Sequence, residues 1–122
     1  SWDLFSNPNV AISAFNSLQK NWINKEDYHN MIANKSVIIT DNKLTILFAK
    51  REISELTGYR SSEIIGQSPR MFQGITKKHP FKEVILNYRK DGSTYMCEIE
   101  AYPKFDNKNN LTHFIAFERI AS

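Results

Sequence analysis

Apolar positions recur along the chain with two different periods, and the change between them divides it. Asn7 and Pro8 offer an N-cap and a preset first helical position, and Ala11, Phe15, Leu18 and Trp22 follow at spacings of four, three and four. That period predicts one helix with a single apolar stripe. Asn24 is placed to cap a second, shorter helix, with Glu26 and Asp27 in its first turn and Tyr28, Met31 and Ile32 on its apolar side; its end is expected near Asn34 and Lys35. From Ser36 the period falls to two. SVIITD and LTILFA are β-branched runs on either side of Asp41-Asn42-Lys43, which has turn composition, so a hairpin is expected. REISELTG returns to helical spacing through Ile53, Leu56 and Thr57, with Gly58 as its terminator. Ser61 or Ser62 is expected to cap a brief helical turn, SSEIIG, that stops at Gly66, and Pro69 interrupts the next stretch of chain.

The last third reads as strands. FKEVILNYRK alternates, with Val84, Leu86 and Tyr88 on one side and Ile85, Asn87 and Arg89 on the other, and runs into Asp91-Gly92, a strong hairpin signal. STYMCEIEAYPKF continues as its partner, with Tyr95, Cys97, Ile99 and Ala101 on one face and Glu98 and Glu100 on the opposite one. The polar loop DNKNN precedes a final strand, LTHFIAFERI. Two strands, helices and then three strands predict an α+β domain built on one antiparallel sheet.

Composition narrows the class. The chain has 122 residues, 41% of them hydrophobic and 24% charged, which fits one domain with a proper core and excludes a disordered or fibrous chain. Its longest apolar runs are Ile46 to Ala49 and Phe114 to Phe117, far short of the roughly 20 residues that cross a bilayer. The N-terminus lacks the pattern of a signal peptide, and the single cysteine, Cys97, has no partner within the chain, so a reducing cytoplasm is the expected compartment. The charge is +3, and the basic pairs Lys50-Arg51, Lys77-Lys78 and Arg89-Lys90 are too scattered to form a phosphate-tracking stripe, so the expected reading is a solvated surface and not a nucleic-acid interface.

Catalytic patterns are not found in the sequence. His29, His79 and His113 show no metal-ligand spacing with one another or with Cys97. Four glycines form no phosphate-binding loop, and Ser61 and Ser62 sit in no nucleophile elbow.

The order of elements and the words in them resemble a PAS domain, and within that superfamily the flavin-binding light-oxygen-voltage branch. The strings that carry the resemblance are IITD, LFAKREISELTGYRSSEIIGQSPRMFQG, PFKEVILNYRKDGSTYMCEIEAYPKFD and HFIAFERI, covering about the last 85 residues. The resemblance implies a five-stranded antiparallel sheet cupping a few short helices over a small pocket. It divides the chain into an N-terminal helical extension, 1–35, and a PAS core, 36–122.

Light-oxygen-voltage photoreceptors carry an Asn-Cys-Arg-Phe motif whose cysteine forms a flavin adduct. Here the matching string reads Ser68-Pro69-Arg70-Met71-Phe72, so proline stands where the thiol belongs, and adduct photochemistry is not expected. By resemblance Arg70 matches the flavin-phosphate contact, Gln73 a ribityl-chain contact and Asn87 the first of two asparagines at the ring's polar edge. Cys97 replaces the second asparagine. Glu118 replaces the glutamine that reads the flavin ring, and an ionised carboxylate there can accept but not donate. After Gln73 only GITKKH precedes Pro80, too short for the helix the family carries there, so the spacing predicts that a mobile segment is omitted near Gln73 and Gly74.

These readings lead to a non-catalytic PAS sensor or interaction module of a larger cytoplasmic, bacterial signalling protein, with no bound cofactor. Its expected partners are a second copy, met through the N-terminal helix and the sheet, and an effector in the same polypeptide, such as a histidine kinase. An adduct-free blue-light sensor binding an FMN-type flavin is the alternative; a DNA-binding domain is a third, weaker one. The pocket candidates are Arg70, Gln73, Asn87, Cys97 and Glu118, with no catalytic and no metal site.

Overall fold

The computed structural model describes residues 13, 16, 17, 20, 22, 36–50, 52–68 and 79–121. Ordered along the chain are strands β1 (Ser36–Asp41) and β2 (Ile46–Ala49), helices α1 (Glu52–Thr57) and α2 (Ser61–Ile64), and strands β3 (Phe81–Tyr88), β4 (Thr94–Phe105) and β5 (Leu111–Ile120). The five strands form one antiparallel sheet in the order β2-β1-β5-β4-β3, so the last strand in sequence lies at the centre. It joins two hairpins that make no ladder with each other.

Turn chemistry sets both hairpins. Asp41 Oδ1 accepts the Lys43 and Thr45 amides at 2.9 and 3.0 Å, and Leu44 takes a left-handed φ of 66°. The reversal absorbs Leu44 and Thr45, and β2 therefore begins at Ile46, two residues after the start expected from LTILFA. Between β3 and β4, Gly92 adopts φ 90° while Arg89 N–H donates to the Ser93 carbonyl at 2.8 Å, closing the hairpin that Asp91-Gly92 signals over a three-residue loop.

Helix α1 buries Ile53, Leu56 and Thr57 against the sheet, the i, i+3, i+4 stripe of its sequence. Gly58 ends it at φ 79°, donating its amide to the Ser54 carbonyl. One expectation is corrected at α2. Neither Ser61 nor Ser62 caps it: Arg60 is the N-cap residue, in extended conformation, and Glu63 accepts the Arg60 amide at 2.9 Å. Ser61 is instead fully buried as the first helical residue, which removes its side chain from the cap position.

The sheet is covered on its inner face and, at the β1–β5 end, on its outer face. On the inner face Ile38, Ile46, Ala49, Ile53, Leu56, Tyr95, Cys97, Ile99, Ala101 and Ala116 form one core cluster under the helices. On the outer face Val37, Ile39, Phe48, Ile115 and Phe117 are also buried. Trp22 lies there as well. Its indole N–H donates to His113 Nδ1 at 3.0 Å, and Lys104 Nζ sits 5.8 Å from its ring centroid. Trp22 thus packs on its own sheet, while Ala11, Phe15 and Leu18 of the same predicted stripe fall outside the described residues, as does the predicted second helix.

Candidate functional site

Between α1, α2 and the inner face lies a cavity of about 340 Å³. Ile38, Ile46, Ile53 and Ile64 make it mostly apolar, and Asn87 and Glu118 bring polar groups to it from β3 and β5. This is the composition of a small-molecule pocket. Strand alternation dictates which residues reach it. Asn87 pairs with Tyr95 and Ile85 with Cys97 across β3–β4, while Ile99 pairs with Glu118 across β4–β5, so these side chains share one face.

Glu118 is the most unusual group there. It is 3% exposed, its Oε1 accepts the Cys97 thiol at 3.7 Å, and its Oε2 has no hydrogen-bond partner among the described residues. Burial disfavours the carboxylate and pushes its pKa up to about 7, the thiol bond pulling only weakly the other way. Cys97 is pushed up to about 12, first by burial and then by the neighbouring carboxylate, so it is an inert thiol at neutral pH. Tyr95 is likewise raised to about 12 by burial.

Asn87 uses its amide on Tyr95, donating to the hydroxyl at 2.8 Å, and the Arg89 guanidinium lies 4.4 Å from the Tyr95 ring centroid. Arg89 also donates from Nε to the Leu56 carbonyl at 3.0 Å, and the Lys90 amide donates to the Thr57 carbonyl at 2.9 Å. The β3–β4 turn therefore holds the C-terminal end of α1, the wall of the cavity. At the rim, Glu63 is held well below the usual carboxylate range, chiefly by Lys90, whose Nζ lies at 2.6 Å.

The structure brings three sequence candidates, Asn87, Cys97 and Glu118, to one cluster. Arg70 and Gln73 lie outside the described residues, as do Pro69 and the segment from Gln73 to Ile75 where an omission was expected. Sequence reasoning missed Tyr95 as the partner of Asn87 and Arg89 as the clamp on α1. The alternation of β4 placed Tyr95 on the right face, but the hydrogen bond depends on the exact β3–β4 register.

A second concavity, of about 440 Å³, lies on the outer face beside Lys82, Glu98, Phe117 and Arg119. Glu98 there takes Lys82 Nζ at 3.5 Å and Arg119 Nε through its other oxygen, and Glu100 and Glu118 also line it. Among the described residues no cluster of His, Cys, Asp and Glu could hold a metal ion, and no helix is long and apolar enough to cross a membrane.

The model of the PAS domain family matches residues 34–119. A nitrogen fixation regulatory protein of Klebsiella oxytoca is 25% identical over 104 residues, covering 74% of this chain and 21% of that protein. A blue-light photoreceptor of Listeria monocytogenes is 27% identical over 105 residues, covering 72% of this chain and 41% of that protein. Among solved structures, the light state of the blue-light photoreceptor Aureochrome1 LOV domain aligns with a TM-score of 0.65 and 26% identity, over 80% of this chain and 90% of that one. The chain thus spans between a fifth and two-fifths of these curated relatives.

The polar edge of a flavin ring presents carbonyl oxygens that need donors. Ionised Glu118 offers only lone pairs and the Cys97 thiol is engaged by Glu118, while the Asn87 amide spends one of its two N–H groups on Tyr95. Ionised Glu118 does not fit a flavin carbonyl, whereas the second N–H of Asn87 does.

Proposed function

Because the chain belongs to the PAS domain family, we propose that it is a non-catalytic sensor and interaction domain of a larger signal-transduction protein. The observation that carries this reading is the 340 Å³ apolar cavity bordered by the buried, half-satisfied Glu118. A ligand entering there meets the α1 wall that Arg89 and Lys90 tie to the β3–β4 turn. Occupancy would bias that contact and pass the change along the sheet to an effector in the same polypeptide. The parent protein is read as bacterial and cytoplasmic, and a histidine kinase is one effector that suits the role.

Residues 1–35 are read as a helical extension and 36–122 as the sensor core. A second copy would meet the sheet where Val84, Leu86 and Met96 are 46–52% exposed on the outer face. Arg70 and Gln73 remain candidate pocket residues beside Asn87, Cys97 and Glu118.

The adduct-free flavin sensor is the second reading, favoured by the likeness to the Aureochrome1 domain and opposed by Glu118. The absorbance of the purified domain separates the two: a colourless protein supports the first, and structured blue absorbance supports the second. The sensor role itself is tested in the full-length polypeptide with Ile64→Trp, which fills the cavity from its α2 side. Loss of signal-dependent output with an unchanged thermal midpoint is expected; output that ignores the substitution overturns the reading.

A further inference from the structure

We infer that the inner cavity recognises a small ligand with an apolar body and a cationic nitrogen, such as an amidine or primary amine, whose N–H groups bond Glu118. This deepens the sensor reading and rests on it.

Three observations carry it. Glu118 borders the cavity, its Oε2 is buried with no partner among the described residues, and such a buried acceptor is costly until a donor reaches it. Among the described residues that border the cavity, the only groups that carry charge at neutral pH are Glu118 and Glu63; none is Lys, Arg or His. Glu63 is already held by Lys90 and the Arg60 amide. The rest of the wall is four isoleucines with Thr57, Tyr59, Gln67, Asn87 and Tyr88, a lining apolar over most of its area that suits an apolar body and leaves Glu118 as the one unanswered negative group. A carboxylate in so dry a place strongly favours a donor that brings its own positive charge.

Binding would be coupled to a proton. In the free protein near pH 6.5 much of Glu118 holds a proton; pairing with a cation favours the carboxylate, and the proton passes to the buffer. Other titratable groups facing Glu118 are Cys97 and Tyr95 on β4, and those bordering the same cavity are Glu63 on α2, Tyr59 between the helices and Tyr88 at the end of β3. Cys97 and Tyr95 stay protonated and Glu63 stays ionised at that pH, since their shifts move them away from it.

The probes are benzamidine and its neutral isostere benzamide, titrated into the purified chain at pH 8 and followed by amide chemical shifts. Benzamidine is expected to shift Glu118, Asn87 and Ile53 and to bind about tenfold to a hundredfold more tightly than benzamide, the difference one charge-assisted hydrogen bond makes. Glu118→Gln should abolish that preference, whereas Glu63→Gln should keep it. Calorimetry at pH 6.5 in buffers of different ionisation enthalpy should show release of up to one proton per benzamidine, a readout that needs no variant to fold. Equal binding of the two probes, a preference surviving Glu118→Gln, or no proton release would overturn the cationic class. Equal binding inside the cavity would do so while leaving the sensor reading standing. Loss of the sensor reading would show separately, as indifference of the full-length protein to Ile64→Trp.

Discussion

On the outer face of the sheet, at the β1–β5 end, Val37, Ile39, Phe48, Ile115 and Phe117 are buried, and the polar groups that reach them answer each other, Trp22 donating to His113. On the inner face the same central strand turns Ala116 and Glu118 toward the helices, and there one carboxylate oxygen has no partner among the described residues beside a cavity of about 340 Å³. Both faces belong to one strand read alternately. That end of the outer face is completed by the chain itself, as a structural core is; the inner face keeps a polar group in reserve, as a binding pocket does.

The largest effect should come from the completed face. Ile115→Ala removes a fully buried side chain at the centre of the sheet and is expected to cost about 2–5 kcal/mol in denaturant unfolding. Leu86→Ala, 52% exposed on the edge strand of the same face, is expected to change stability by no more than about 0.5 kcal/mol. Equal costs would erase the distinction between core and open surface.

The inner face should show itself in pH dependence. Glu118 titrates at about 7 in the folded protein against 4.5 when unperturbed, so the fold binds more protons than the unfolded chain between those values. Its contribution is most favourable below about pH 4.5 and is lost as pH rises toward 7, on the order of 3 kcal/mol. Glu118→Gln should flatten that part of the profile and raise stability at pH 8, read by urea unfolding at pH 5 and pH 8. An unchanged slope would mean that Glu118 is solvated.

The outer face should tilt the other way. Burial lowers the His113 pKa, so the neutral ring is favoured in the fold; its contribution is full above about pH 6.5 and is lost as pH falls below it. Trp22→Phe removes the indole donor and should cost about 1 kcal/mol at pH 8, and less at acid pH where Nδ1 can no longer accept. Smallest for the monomer, and within about 0.5 kcal/mol, is Leu86→Ser; its effect should appear instead as loss of a concentration-dependent dimer in light scattering. A chain that is monomeric at every concentration would remove the proposed second copy.

Much of the core was legible from period alone. Alternation in β4 placed Tyr95, Cys97, Ile99 and Ala101 on one face, and all four are buried; helical spacing selected Ile53, Leu56 and Thr57, the buried side of α1. The site was legible only in part. The resemblance pointed to Asn87, Cys97 and Glu118, but it did so position by position, and what each residue bonds was not readable: Asn87 turns to Tyr95, and Glu118 takes the Cys97 thiol. The cap of α2 was misplaced because Ser and Thr propensity marks a cap locally, whereas burial of Ser61 is imposed by the rest of the fold.

From Ser36 onward the sequence by itself determined the described elements, their faces and the family, because periods of two and 3.6 and turn residues such as Asp91-Gly92 act over a few neighbours. Only the tertiary structure decided that β5 inserts between β1 and β4. That single long-range pairing sets Glu118 against Ser36 on one side and Ile99 on the other, buries it and leaves its second oxygen facing no partner among the described residues. The charge of a glutamate is written in the chain; the dry surroundings that move its pKa to about 7 are made by strands far apart in sequence.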